Sequence, residues 1–275
     1  VCGFCDITNK ADDEVLSFEE SDFNGVVNDV WNGSITKYSL PVSIYLKTAE
    51  TLNKGVYKGF GKNILSVEWG KPDYLMLKDL TDNIYMFSGA KTYQQIRSLT
   101  DLLKRPDVKS NFYKFKDLAS ELLTDYNVNY LKAEYKTAIG SSRMAAEWVR
   151  IQSNKDLLPF LQYKTAGDGR VRPEHAALDG IIRRIEDPFW NTLYPPNGWN
   201  CRCLAIQLES GAESNLSERG DLYQNVPNEF KMNSGKDRII FKEDGEGKHP
   251  YFVIPKEDKK FAKKNFNLPI PNDKV

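Results

Sequence analysis

The feature that most restricts this chain is a change of texture near Leu157: apolar residues recur at helical spacing before it and in short, Gly- and Pro-interrupted bursts after it. From Leu40, the residues Ile44, Leu46, Ala49, Leu52, Val56 and Phe60 predict a helix ending near Gly61. Pro41 suits its first turn, where the missing N–H has no partner in any case. Pro72-Asp73 opens a short segment carrying Tyr74, Leu75, Leu77 and Leu80. A separate helix is expected from about Ser88, a small polar cap, to Lys104, with Pro106 marking its end. Phe112, Phe115, Leu118, Ala119 and Leu122 line the next, to about Asp125, and Leu131, Tyr135, Ala138, Ser142, Ala145, Trp148, Val149 and Gln152 the longest, from Asn129 to about Ser153. Gly140 inside that helix costs about 1 kcal/mol against alanine and is expected to mark close helix packing.

Residues 160–208 are punctuated by Gly-Asp-Gly at 167–169, Pro173, Pro188, Pro195-Pro196 and Asn197-Gly198. A compact helix is expected from Pro173 to about Arg184 and a strand from Leu204 to Leu208, then loop over 210–235 and strands at Arg238 to Phe241 and Tyr251 to Ile254. The expected class is α+β and mainly α-helical, an N-terminal helical region followed by a small irregular α+β domain with short strands. Its parts are an irregular arm over 1–39, a helical region over 40–157, the α+β domain over 158–255 and a tail over 256–275.

Charge narrows the functional classes. The 38 basic residues equal the 38 acidic ones, so no global field draws the chain to a phosphate backbone or an anionic membrane. No apolar run approaches the roughly 18–20 residues of a membrane span, and none follows the N-terminus as a signal peptide would, so synthesis in the cytoplasm without a membrane partner is expected. Two stretches resemble phosphate-binding loops and fail. Gly55 to Asn63 lacks the first glycine at the required offset and has Asn63 where the hydroxyl belongs, and Gly89-Ala90-Lys91-Thr92 has no glycine-rich loop before it. Only His175 and His249 are available to a hydrolytic triad, and no serine sits in a Gly-x-Ser-x-Gly elbow, so no enzyme is expected.

One constellation is dense in chemistry. Cys201 and Cys203 stand two positions apart, as on one face of a strand, and His175 precedes them. Thiolates and imidazole are natural ligands of a structural zinc ion, and a closed site needs four. His249, in His249-Pro250-Tyr251-Phe252, is one candidate for the fourth, and Asp168 and Asp179 are others. Cys2 and Cys5 offer a further alternative, completing a four-thiolate site. The competing reading is that the cysteines are small buried residues and that His175 and Asp168 orient loops by hydrogen bonds. Trp190 and Trp199 bracket the diproline and are expected to pack it as a stiff knuckle. Arg170, Arg172, Arg183, Arg184 and Arg202 form a basic cluster, but Glu174, Asp179, Glu186 and Asp187 stand ready to pair with them.

The run from Tyr163 to Gly180, then Asp187-Pro188-Phe189-Trp190 and the run from Tyr194 to Cys203, resembles the signature of the phage Mu F-like proteins, the SPP1-type minor head family. Glu134 to Ala138 and Met144 to Trp148 look like the helix that precedes that signature, extending the resemblance to roughly residues 85–208. The resemblance implies a non-enzymatic minor capsid and head-morphogenesis protein of a tailed bacteriophage, associated with the portal vertex and supporting head assembly or DNA delivery. It implies assembly in the host bacterial cytoplasm and residence in the virion or procapsid. The implied partners are the portal protein, a major capsid or scaffolding protein and packaged DNA. Asp168, Arg170, His175, Asp179, Cys201 and Cys203 are its polar motif positions, for which the family suggests zinc. A zinc-containing protein that binds or processes nucleic acid is the alternative.

Overall fold

The computed structural model describes Phe18 and residues 20–217 and 221–266. Cys2 and Cys5, the first part of the expected N-terminal arm and the end of the expected tail lie outside the described residues. In chain order the helices are α1 Glu20–Trp31, α2 Val42–Phe60, α3 Pro72–Leu102, α4 Phe112–Thr124 and α5 Leu131–Asn154, with a π-helical turn Asp125–Tyr130 between the last two. Strand β1 Phe160–Lys164 follows, then α6 Pro173–Ala176, β2 Ile182–Arg184, α7 Phe189–Thr192, β3 Leu204–Leu208, α8 Ser234–Asp237 and α9 Lys259–Phe266. The fold is mainly α-helical, with three short antiparallel strands in a small irregular region.

The chain divides into two compact units. The first comprises Asn53–Asn83 and Lys136–Gly247 among its described parts, and the second residues up to Leu52, Ile84–Tyr135 and Lys248 onward. In the first unit β1 is the central strand, paired antiparallel with β2 from Phe160↔Arg184 and with β3 from Phe160↔Leu208 to Lys164↔Leu204. Alternation along β1 sends Leu161 and Tyr163 to one face, where both are buried. That face joins Met144, Trp148 and Ile151 of α5, spaced at one helical face, with Ile181, Phe189, Trp190 and Tyr194 in one core. Two polar side chains tie this core to α5. The Tyr194 hydroxyl donates to the Met144 carbonyl at 2.9 Å, and the Gln207 amide donates to the carbonyls of Ile151 and Leu158 at 3.1 and 2.9 Å.

The second unit packs Trp31 at the end of α1 against Phe112 and Phe115 of α4, with ring centroids 5.4 and 5.5 Å apart. Its interior carries a polar network: the buried Lys91 ammonium meets the buried Glu134 carboxylate, to which the Tyr251 hydroxyl also donates at 3.0 Å. The Tyr93 hydroxyl donates to Asp258 at 2.6 Å, and Lys37 reaches the same carboxylate at 2.7 Å.

Several local expectations change. The stretch expected to be an irregular arm contains α1, whose Phe23, Val26, Val27 and Val30 repeat at helical spacing and are buried. Ser88 starts no helix: it is buried inside α3, a single helix where two were expected, and its carbonyl accepts from the Thr92 hydroxyl at 2.8 Å. The helix expected over Pro173 to Arg184 ends after one turn, because the Gly180 N–H and carbonyl groups near it are drawn to β1: Gly180 N–H donates to the Tyr163 carbonyl at 2.9 Å and Tyr163 N–H to the Ile181 carbonyl at 2.8 Å. No strand forms at Arg238 to Phe241 or Tyr251 to Ile254. Side chains satisfy those backbones instead, Asn83 for the first and Gln94 for the second. The expected tail contains α9, which buries Ala262 and Phe266.

Candidate metal centre

Two segments of the first unit bring His175, Cys201 and Cys203 together. Helix α6 is a single turn with Pro173 at its start, and its hydrogen bonds from His175 N–H and Ala176 N–H to the Arg172 carbonyl set the histidine's direction. Cys201 and Cys203 lie just before β3 rather than within it, in the irregular stretch that follows Asn200, where the backbone passes through the left-handed region at φ 57°. The 201–203 segment is anchored on the other side by the Cys201 N–H, which donates to the Gly198 carbonyl at 3.2 Å.

His175 Nδ1 stands 3.6 Å from Cys201 Sγ and 3.5 Å from Cys203 Sγ, and the three atoms all lie within 4.8 Å of one another. A tetrahedral zinc ion with bonds of ~2.3 Å to sulfur and ~2.05 Å to nitrogen separates those two ligand atoms by about 3.6 Å. The donor set and its two nitrogen–sulfur edges therefore fit a cation of that size. His175 and Cys203 are buried, Cys201 is half-buried, and both thiols are free.

The electrostatics divide the two sulfurs. Hydrogen bonds from Cys203 and from His175 hold the Cys201 thiol well below its ordinary range despite its burial. The same contact with Cys201, together with burial, pushes the Cys203 thiol far up. Tyr163, driven up by burial and by both sulfurs, stays a neutral phenol whose hydroxyl donates to Asn197 Oδ1 at 2.9 Å. Arg172 flanks the histidine, its Nη2 3.3 Å from His175 Nε2 and its Nη1 donating to the Trp199 carbonyl at 3.0 Å. Asn197, read from sequence only as a turn residue, is fully buried and holds Tyr163. Its sequence signal, Asn-Gly, says turn and nothing about burial.

The other expected ligands have different partners. Asp168 receives a bidentate pair from Arg202 at 2.7 and 2.7 Å, which depresses its carboxyl far below the usual range. Asp179 accepts from Thr165 N–H at 2.7 Å and from the Thr165 hydroxyl at 2.9 Å; burial pushes it up, but these bonds leave it lowered overall. His249 belongs to the second unit, where its Nδ1 accepts from Tyr251 N–H at 3.3 Å and its ring packs on Phe87 at 4.9 Å. Burial and the nearby Lys91 push that imidazole down to about 3. The knuckle expectation has a packing counterpart: Leu193 to Gly198 are buried, Trp190 stacks edge-on with Phe189 at 4.8 Å and Trp199 with Phe230 at 5.1 Å.

The centre falls inside the part of the chain that has relatives. Residues 83–206 match the family of Phage Mu protein F like proteins. The F protein of Escherichia phage Mu, named for capsid assembly, is 38% identical over 116 residues, which are 42% of this chain and 24% of that protein. The FluMu F protein of a Mu-like prophage in Haemophilus influenzae is 38% identical over 88 residues, 32% of this chain and 20% of that protein. An uncharacterized Haemophilus influenzae protein is 24% identical over 212 residues, 75% of this chain and 45% of its own length. The chain thus spans about a quarter or less of the two F proteins it matches. No solved structure matches it. The stretch similar to Phage Mu protein F like proteins, residues 83–206, is thus just under half of the chain, and His175, Cys201 and Cys203 all lie within it.

Proposed function

We propose that this protein is a non-enzymatic head-assembly component of a tailed phage that acts at the portal vertex, built in the host cytoplasm and carried in the procapsid or virion. The observation that carries the reading is the homology over residues 83–206, which contains both the metal-type cluster and the knuckle around Trp190 and Trp199. The portal protein is the proposed direct partner, with capsid or scaffolding subunits and packaged DNA as further contacts. In support of a protein rather than a nucleic-acid partner, the basic cluster is engaged in ion pairs: Arg202 with Asp168 at 2.7 Å, Arg183 with Asp187 at 2.5 Å and Arg172 with Glu174 at 3.5 Å. Among the described residues no helix is long and apolar enough to cross a membrane.

Within this reading His175, Cys201 and Cys203 supply three ligands of one structural zinc ion, while His249, Asp168 and Asp179 have the other partners described above. The ion would fasten the entry to β3 to the single turn of α6. Mass spectrometry of purified procapsids and virions tests the assembly role: the chain is expected in both, crosslinked to portal, and its absence overturns the reading. Elemental analysis of natively purified protein tests the metal, with about one zinc per chain expected and Cys203→Ser or His175→Ala expected to lose it. Zinc-free protein that remains unable to take up zinc or cobalt ions sinks the metal assignment.

A further inference from the structure

The connection between α2 and α3 displays large apolar side chains on a stiff frame. Leu65 is 94% exposed and Trp69 80% exposed, and Leu75 at the start of α3 is exposed as well. Trp69 rests on Tyr74, ring centroids 4.6 Å apart. The backbone beneath them is hydrogen-bonded in detail. Asn63 Oδ1 accepts from Leu65 N–H and Ser66 N–H at 3.0 Å each, while Asn63 N–H donates to the Ser66 hydroxyl oxygen at 3.0 Å, a reciprocal capping box around the short helix Ile64–Ser66. Gly61 leaves α2 in the left-handed region at φ 77°. A loop fixed in this way loses little conformational freedom when its side chains are captured, the condition under which a Trp and a Leu act as anchors.

The charges around the anchors state what kind of surface fits. Lys62 is paired with Asp73 at 2.6 Å and Lys71 with Glu68 at 3.7 Å, so each carboxylate of the loop is matched by a lysine of the loop. No cation is left over to attract a phosphate backbone or an anionic lipid, and no carboxylate to attract a basic groove. What remains to be recognised is apolar and exposed. These residues also precede the segment matched by the family, residues 83–206.

We propose that Leu65 and Trp69 insert into an uncharged apolar cleft of another protein of the phage head, making the α2–α3 connection a docking knuckle; this rests on the head-assembly reading. The test is carried out in the phage that encodes the chain, by quantitative mass spectrometry of purified particles carrying Leu65→Ser and Trp69→Ser together. Incorporation is expected to fall at least tenfold, while the isolated full-length variant keeps the wild-type circular dichroism and melting temperature. A Tyr113→Ser control, at a residue 81% exposed in the second unit, is expected to be incorporated normally. Undiminished incorporation of the double variant overturns the docking alone, whereas absence of the wild-type chain from particles overturns the head-assembly reading and the docking with it. Dimerisation of the purified chain lost on Trp69→Ser would assign the knuckle to a second copy, and Trp69-dependent binding to phosphatidylcholine vesicles would assign it to lipid; either outcome overturns the proposal.

Discussion

Asn83 lies in the interior of α3, fully buried, with Oδ1 accepting from the N–H groups of Ile240 and Phe241 at 2.9 Å each and Nδ2 donating to the Phe241 carbonyl at 2.9 Å. One amide thereby replaces the neighbouring strand that the apolar run at Arg238 to Phe241 led one to expect. Asn83→Ala leaves two backbone donors and one acceptor unpaired in the interior, at about 1–3 kcal/mol apiece. The expected loss is about 3–5 kcal/mol in urea unfolding, and a loss under about 1 kcal/mol would show that these groups find other partners.

His249 gives a second residue-level test. Its imidazole is pushed down to about 3, so it is neutral when folded, and Lys91 of α3, Glu134 of α5 and the Tyr251 hydroxyl share its surroundings. As pH falls the unfolded chain protonates first, near 6.5, so the histidine's contribution is complete above that pH and is lost progressively toward 3. Glu134, raised by burial, titrates with the opposite sense, and a paired comparison removes its effect. His249→Asn retains an acceptor for the Tyr251 N–H without the titration. Between pH 7 and 4 the wild type is expected to lose roughly 3 kcal/mol more than this variant in denaturant melts; equal losses would show that His249 is protonated in the folded protein.

At the level of elements, α5 corrects a plausible inference. Gly140 was expected to mark close packing, yet a Cβ there would meet only the Cys201 carbonyl oxygen at 3.8 Å and Pro196 Cγ at 3.9 Å, ordinary contact distances. The close approach belongs to Gly59 of α2, where a Cβ would overlap the Ile139 carbonyl and the Ser142 hydroxyl oxygen. Gly140→Ala is expected to raise stability by about 0.5–1 kcal/mol through helix propensity, and Gly59→Ala to lower it by about 2 kcal/mol or more through overpacking. Thermal melts of the two variants check this pair, and stabilisation by Gly59→Ala would contradict the packing described. Helix content was legible in the sequence because the 3.6-residue repeat is local, as in α2 and α5. The end of α6 was not, because Gly180 and Ile181 are held by Tyr163 of β1.

For the molecule as a whole, the proposed zinc predicts a linkage. An ion bound only by the folded state adds about 2.7 kcal/mol at a free concentration 100 times its Kd. Zinc-loaded protein is therefore expected to unfold at higher denaturant than chelated protein, and the gap should vanish in Cys203→Ser. A gap that persists in that variant would place the ion elsewhere.

The amino-acid order alone determined helices α2, α4 and α5, the strand Leu204–Leu208, the balanced charge and the grouping of His175, Cys201 and Cys203 in one signature, because periodicity, composition and residue type are written in short windows. Only the tertiary structure decided that Asp168 serves Arg202, that His249 serves the second unit's core, that an amide rather than a strand satisfies Ile240 and Phe241, and which glycine marks a contact. Each of those outcomes is a choice of hydrogen-bond or packing partner made across tens to more than a hundred residues. Burial makes such a choice binding, since a polar group out of water must take a partner that the folded chain places within reach.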